Sequence, residues 1–239
     1  MRGLVLREVD YRDSDRMLTI LTAERGKISA KARGARRKNS LLGAGTQLLV
    51  YSEFAIFEER GRMTVDSAEP LELFLGLRKD ILRLSLASYM AEALDAAAPE
   101  NSPSGALLSD ALNLLYALSR GLKSEALIKA AFELRAAAIC GFMPELTACA
   151  ECGDADPSEP VLELMSGELK CKQHAYSSYA ELDAPSLAAA RYLMQANSKK
   201  MLAFDLTGGS LERLGIAAEN YFLVTMERGF STLDFYKSL

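Results

Sequence analysis

Residues 25–40 read Arg-Gly-Lys-Ile-Ser-Ala-Lys-Ala-Arg-Gly-Ala-Arg-Arg-Lys-Asn-Ser. From Lys27 to Arg33 the pattern has period two, with Ile28, Ala30 and Ala32 alternating with Lys27, Ser29, Lys31 and Arg33. That period belongs to a strand with one buried face: the apolar side chains point to an interior and the polar ones to solvent. Around this strand lie four more short stretches rich in β-formers, at 4–9, 17–22, 48–57 and 63–67. Turn-like segments at 12–15, 24–26 and 60–62 separate them. Five short strands in the first 70 residues fit a small barrel. The five-stranded OB-fold has that economy, and an SH3-like barrel fits the count as well. In 48–57 the even positions Leu48, Val50, Phe54 and Ile56 mark the interior. Tyr51 and Phe57 then face outward, unless a bulge reverses the phase.

The same stretch carries the charge. Arg25, Lys27, Lys31, Arg33, Arg36, Arg37 and Lys38 are seven basic residues with no acid among them. Residues 1–40 hold 11 Lys/Arg against 5 Asp/Glu, leaving 17 against 27 for residues 41–239. A formal net charge of −4 thus hides a basic module joined to an acidic body. It is the local field that steers a polyanion. Same-face neighbours on a strand are about 6.8 Å apart, comparable to the phosphate repeat of an extended single strand. The competing reading of the segment is a solvated surface.

After Pro70 the apolar period lengthens to that of a helix, with Leu77, Ile81, Leu84, Ala91 and Leu94 on one face. Further helices are expected near 104–118, with Ser104 as N-cap, and near 124–141, 185–196 and 210–228. Residues 142–180 interrupt them with Pro144, Pro157, Pro160 and three cysteines. Here Cys149-x2-Cys152 is followed, after 18 residues, by Cys171-x2-His174. Tetrahedral zinc takes four soft or borderline ligands, and two close-spaced pairs supply them. The stretch 161–170 fits a hairpin, with Ser166-Gly167 at its turn, that brings the second pair to the first. His174 is the single histidine of the chain. Four protein ligands leave no place for a reacting water, so one structural zinc is expected. Disulfides and a redox CxxC are the competing readings; the context is a loop and no secretory signal is evident, which favours the metal. Cys140, on an apolar helix, reads as a small buried hydrophobe.

With His174 expected on zinc, no Ser-His or Cys-His nucleophile pair remains. There is no G-x-x-x-x-G-K-[ST] phosphate loop. Carboxylates are plentiful but form no compact cluster in the sequence. No run of 18 apolar residues occurs, so no membrane span is expected, and the cytoplasm is the expected location.

Taken in order along the chain, these residues resemble the RecO family. The similarity lies in 18–22 with Gly26, in Gly34-Ala35-Arg36-Arg37 with Ser40, in Leu77-Arg78-Lys79-Asp80 and in Ala87-Ser88-Tyr89. It continues through Phe132-Glu133-Leu134-Arg135, Gly141-Phe142-Met143-Pro144 and Cys149 to the terminal Phe235-Tyr236-Lys237-Ser238-Leu239. The resemblance implies an α+β multidomain chain: an OB-fold barrel at 1–70 and a mainly helical domain at 71–239, with a zinc module inserted at about 142–180. It implies no catalysis, binding of single- and double-stranded DNA with the basic segment, and annealing of complementary strands. It further implies work with RecR and single-strand-binding protein to load RecA. His174 stands where many zinc-bearing members have a fourth cysteine, and Cys3His remains a known structural class. Arg78, Lys79 and Arg83, read at helical spacing, are a candidate cationic rim for the acidic tail of single-strand-binding protein. The alternatives are a protein-interaction adaptor built on the acidic body and a zinc hydrolase or nuclease.

Overall fold

The computed structural model describes residues 1–176 and 178–239. Five strands close into a barrel: β1 (Arg2–Tyr11), β2 (Asp15–Thr22), β3 (Gly26–Ala32), β4 (Tyr51–Glu59) and β5 (Arg62–Glu72). Their order is β1-β2-β3-β5-β4, with β4 returning to β1 and β3 running parallel to β5. This OB-like closure leaves no edge strand among the five. The alternation in β3 holds: Ile28, Ala30 and Ala32 are buried and join Val5, Leu18, Ile20, Phe54 and Val65 in the barrel core. Ala30, Ala32 and Ala68 share this core with the Phe54 ring. In β1 the register slips between Val5 and Arg7, so Leu6 is bulged, and Leu4, Val5 and Leu6 are buried in succession. The bulge lets β1 serve the barrel interior and the helix packed outside it.

Pro70 does not end the barrel as the change of period suggests; it lies within β5, paired with Ser52. Pairing of β5 with β3 covers Met63–Val65, so at Pro70 the missing N–H costs no ladder bond on that side. Of the interior positions expected in 48–57, Val50 and Phe54 are buried and Leu48 and Ile56 only partly so. Leu49, with φ of 65°, is buried as well, before the register slip at Tyr51.

The helices are α1 (Ile81–Ala97), α2 (Gly105–Arg120), α3 (Glu125–Ile139), α4 (Ala184–Gln195), α5 (Gly208–Met226) and α6 (Ser231–Lys237). A 3-10 turn at Leu75–Lys79 precedes α1, whose N-cap Asp80 accepts from the N–H groups of Leu82 and Arg83 at 2.9 and 3.3 Å. Ser104 sits just before α2, its carbonyl accepting from Leu108. Pro185 lies in the first turn of α4 behind Asp183, which closes a capping box with Ser186. Cys140 caps α3 half-buried, less enclosed than expected, and burial pushes its thiol up.

The chain forms two compact units, Met1–Ser119 with Phe230–Leu239, and Arg120–Gly229. The first unit takes in the barrel, the first two helices and the last one. In it α1 lies on β1 and β2, and α6 returns against α1 with Phe230 edge-on to Tyr89 at 5.6 Å. The second unit packs α3 against α4 and α5, with Phe132 and Phe222 6.0 Å apart. It also holds a sheet of order β7-β6-β8, made of β6 (Pro160–Glu163), β7 (Leu169–Cys171) and β8 (Tyr179–Glu181). Among the described residues no helix is long and apolar enough to cross a membrane.

Candidate nucleic-acid interface and metal centre

In the barrel, the seven basic residues divide by their partners. Lys31 and Lys27 are committed to the fold. The Lys31 ammonium lies 2.8 Å from Asp15, whose other oxygen accepts from the Gly34 N–H at 2.8 Å. Lys31 also lies over the Tyr11 ring, 5.1 Å from its centroid. The hydrogen bond from Lys31, then that from Gly34, holds the Asp15 carboxyl below the usual carboxylate range. Lys27 reaches the Asp95 carboxylate of α1 at 3.3 Å and its carbonyl at 2.5 Å. Nearby, Gly26, at φ 60°, lies so close to the Pro99 and Ser102 carbonyls that any Cβ would collide with them.

Arg25 and Arg36 pair at the surface, with Glu58 at 2.8 Å and Asp10 at 3.1 Å. Such pairs contribute about 0–1 kcal/mol, so a phosphate can compete for them. Arg36 also donates to the carbonyls of Arg12 and Asp13, and its backbone N–H to that of Ser14 at 3.0 Å. The loop after β3 is thereby fastened to the β1–β2 turn. Arg33, Arg37 and Lys38 are exposed, with no ion-pair partner among the described residues. The committed cations and the Arg36 clamp build a platform, and these three present charge from it.

Three more cations join them that the sequence pattern does not single out. Arg12 projects from the β1–β2 turn with its guanidinium 5.3 Å from the Tyr11 centroid. Its charge is masked in the sequence by Asp13 and Asp15. Arg60 and Arg62 sit at the β4–β5 turn, beside the basic strand because Met63 pairs in parallel with Ala30. Phe57 does face outward, 61% exposed, opposite Thr64, which is itself opposite Lys31. Arg78 and Lys79 do not share a helix with Arg83. They lie in the 3-10 turn, Arg78 donates to the Leu48 carbonyl at 3.3 Å, and the N-cap Asp80 intervenes before Arg83.

In the second unit the two ligand pairs meet. The ligand atoms of Cys149, Cys152, Cys171 and His174 all lie within 4.8 Å of one another, the one such cluster among the described residues. The hairpin of β6 and β7 brings Cys171 across from Pro160, and His174 follows on a short 3-10 turn. The first pair sits on a tight knuckle. Gly153, at φ 74°, returns its N–H to the Cys149 carbonyl at 2.9 Å, and Ala150 donates to Leu169 of β7.

Two edges of the cluster measure 3.6 Å, Cys152 Sγ to Cys171 Sγ, and 3.5 Å, Cys149 Sγ to His174 Nδ1. Zinc bonds of about 2.3 Å to sulfur and about 2.0 Å to nitrogen set tetrahedral edges of about 3.5–3.8 Å. The residues therefore fit the ion. Burial pushes the Cys149 thiol up, but the backbone N–H groups of Cys152, Cys171 and Glu151, with the His174 ring, outweigh it and bring it to about 6. Burial, then hydrogen bonds with Cys152 and Cys149, pushes Cys171 up to about 12. One thiolate is stabilised by the protein's own N–H groups, and a second beside it needs a shared cation.

Two residues that the sequence does not flag hold this module. Arg191 of α4 donates to the carbonyls of Leu146, Thr147 and Ala155 and pairs with Asp156 at 2.9 Å, gripping both arms of the knuckle. Lys170 is buried against Glu163 at 3.0 Å and Glu151 at 3.4 Å, with Tyr176 5.0 Å away, and the Glu163 bond raises its pKa.

Residues 1–74 match the family model described as recombination protein O N terminal, and residues 78–232 that described as recombination protein O C terminal. A DNA repair protein RecO from Acetivibrio thermocellus is 33% identical over 239 residues, covering 99% of this chain and 95% of the relative. One from Alkaliphilus metalliredigens is 33% identical over 244 residues, covering 99% and 98%. Another, from Heliobacterium modesticaldum, is 37% identical over 207 residues, covering 84% and 75%.

Proposed function

This chain belongs to the RecO family, and we propose that it serves DNA repair and recombination as a non-enzymatic mediator that binds single- and double-stranded DNA through its barrel. The observation that carries the reading is the division of labour in the basic loop. Cations that are paired or clamped fix the backbone, and Arg33, Arg37 and Lys38 are left facing solvent without an acid. Fixed cations without internal partners are what a phosphate backbone requires, and such contacts carry no sequence information. Phe57, exposed two strands over from Lys31 across β5, offers a face on which a base can stack.

Binding energy is then the resource for function. A cationic face lowers the repulsion between two strands, which speeds annealing without ATP. The family suggests the setting: RecR and single-strand-binding protein as partners, with RecA loaded afterwards onto the strand, in the cytoplasm. Cys149, Cys152, Cys171 and His174 would hold one zinc ion. When bound, that ion supplies a tetrahedral cross-link between the two knuckles and, with four protein ligands, no open position for water.

The test is annealing of complementary strands, bare and coated with single-strand-binding protein, with no nucleotide added. Acceleration that weakens with salt and with loss of Arg33, Arg37 and Lys38 is expected. Acceleration that survives their loss would move the contact off these three residues, and no acceleration of bare strands even by the wild type would favour an adaptor acting through its acidic body.

A further inference from the structure

Leu41 stands clear of the barrel, 96% exposed, at the end of the cationic loop. Its neighbour Leu42 is buried in the barrel core together with Ala35. Between these two anchors the backbone is a run of linked turns. Arg37 donates to Gly34, Ser40 to Arg37 and Gly43 to Ser40, at 3.0, 3.0 and 3.2 Å. The Ser40 hydroxyl accepts from the Leu42 N–H at 3.2 Å, and Thr46 gives its hydroxyl to the Leu42 carbonyl at 2.8 Å. Leu41 has no inward position to take, because Leu42 fills it. A lone apolar side chain at a surface is ordinary. This one is held out by a backbone tied at both flanks, with the unpaired Arg37 and Lys38 just before it.

We propose that Leu41 is an apolar wedge that enters between stacked bases while Arg33, Arg37 and Lys38 hold the neighbouring phosphates. Charge decides the occupant. An apolar protein surface pressed on this tip would strip water from the cations beside it and give them no counter-charge. A nucleic acid offers both halves of the match, phosphates outside and apolar base faces inside. Leucine is among the side chains that part a base step in this way. The inference rests on the DNA-binding reading of the barrel and adds an action to it. Parting a step frees base edges for a complementary strand, which the charges alone do not do.

The experiment uses the full chain and mixed-sequence oligonucleotides, single-stranded and duplex, carrying 2-aminopurine, whose emission rises when the base is unstacked. Wild type, Leu41→Ser, Leu41→Met and the triple variant Arg33→Ala, Arg37→Ala, Lys38→Ala are compared. Wild type and Leu41→Met should raise the emission, and Leu41→Ser should not. The salt dependence of Leu41→Ser should match wild type, because no charge changes. Its affinity should move about threefold or less, since the wedge's gain is largely offset by unstacking. An undiminished rise in Leu41→Ser with wild-type salt dependence overturns the wedge and leaves the DNA-binding reading standing. Wild-type salt dependence in the triple variant overturns that reading, and the wedge with it. If Leu41→Ser leaves both DNA readouts unchanged and alters the sedimentation of the DNA-free protein, Leu41 is a protein contact and the wedge is wrong.

Discussion

The knuckles at 149–174 and the loop at 25–41 are both marked in the sequence by a few residue types at short spacing, yet they are completed differently. The four zinc-type ligands converge on one another: each one's partner is another member of the set. Four of the seven loop cations find their partners elsewhere, in Asp10, Asp15, Glu58 and Asp95. A metal site is a local constraint: two short loops fix the distances within each pair, and one hairpin of neighbouring sequence brings the pairs together. A charged surface is a difference between what a segment carries and what the fold brings to it. Spacing therefore reports the first well and overstates the second.

The sharpest way to break this comparison is to remove one ligand. Cys171→Ser should reduce bound zinc from one ion per chain to none, measured by elemental analysis of protein made with zinc present. Structural zinc contributes about 10–16 kcal/mol of apparent binding energy in small zinc domains. The knuckles lean on α4 and β6, so the loss should stay local. Amide exchange should accelerate across 145–175 and remain slow in α1. Uniform acceleration through both units would mean that the module is not self-contained.

Next in size is the effect of separating presented from committed cations. Loss of Arg33, Arg37 and Lys38 together should flatten the log-affinity against log-salt line on single strands by about 2, from roughly 0.7 per phosphate. That is roughly an 18-fold smaller loss of affinity between 50 and 200 mM salt. Replacing Lys27 and Lys31 instead should leave the slope nearly unchanged and lower the melting temperature, because their charges are spent on Asp95 and Asp15. Equal slopes in the two variants would erase the distinction between platform and presented charge.

These partners explain what could and could not be read beforehand. The five strands were legible because alternation in β3 reports burial directly, and Gly26 and Gly34 mark its ends. OB-like closure needed the parallel pairing of β3 with β5, a contact between segments far apart in sequence. The third strand β8 and the last helix α6, three and seven residues long, are too short to show a period. Pro70 misleads because its cost depends on which side of a strand has a neighbour, which the sequence does not state. Arg191 was invisible for the opposite reason. It is the single charged residue of α4, with no motif around it, and its importance comes from three carbonyls that the fold places before it.

Arg191→Ala tests whether the metal centre is as self-completing as its spacing implies. The knuckle would keep its four ligands and lose the grip on 146, 147 and 155. Partners bonded to the ligands themselves are worth about 10–100-fold in metal affinity, and Arg191, one step further out, should cost about tenfold or less. Competition with a chelator of known affinity measures it. Zinc retention equal to wild type would make the ligand set sufficient by itself and sharpen the contrast with the loop.

The smallest expected effect has the most informative sign. Asp15 holds Lys31 and the Gly34 N–H, and its pKa is lowered chiefly by the first. A carboxylate whose folded pKa lies below its unfolded value gives its full stabilisation above the ordinary range, near about 3.9, and loses it as pH falls through the lowered value. Between pH 7 and 5 the platform should accordingly be unaffected, with no change in salt slope. Asp15→Asn keeps an oxygen to accept from Gly34 and removes the charge opposite Lys31. The freed ammonium then becomes one more cation for phosphate, so the salt slope should steepen by about 0.7, with tighter binding at low salt. Removing an acid on the far side of the turn would thus strengthen DNA binding without adding a basic residue. Fluorescence anisotropy across a salt series reads the slope directly. A flatter slope in Asp15→Asn would show that the acid's main role is to hold the loop in place for Arg33, Arg37 and Lys38. An unchanged slope would place Lys31 beyond reach of the strand, and the binding path would then run along the loop rather than across β3.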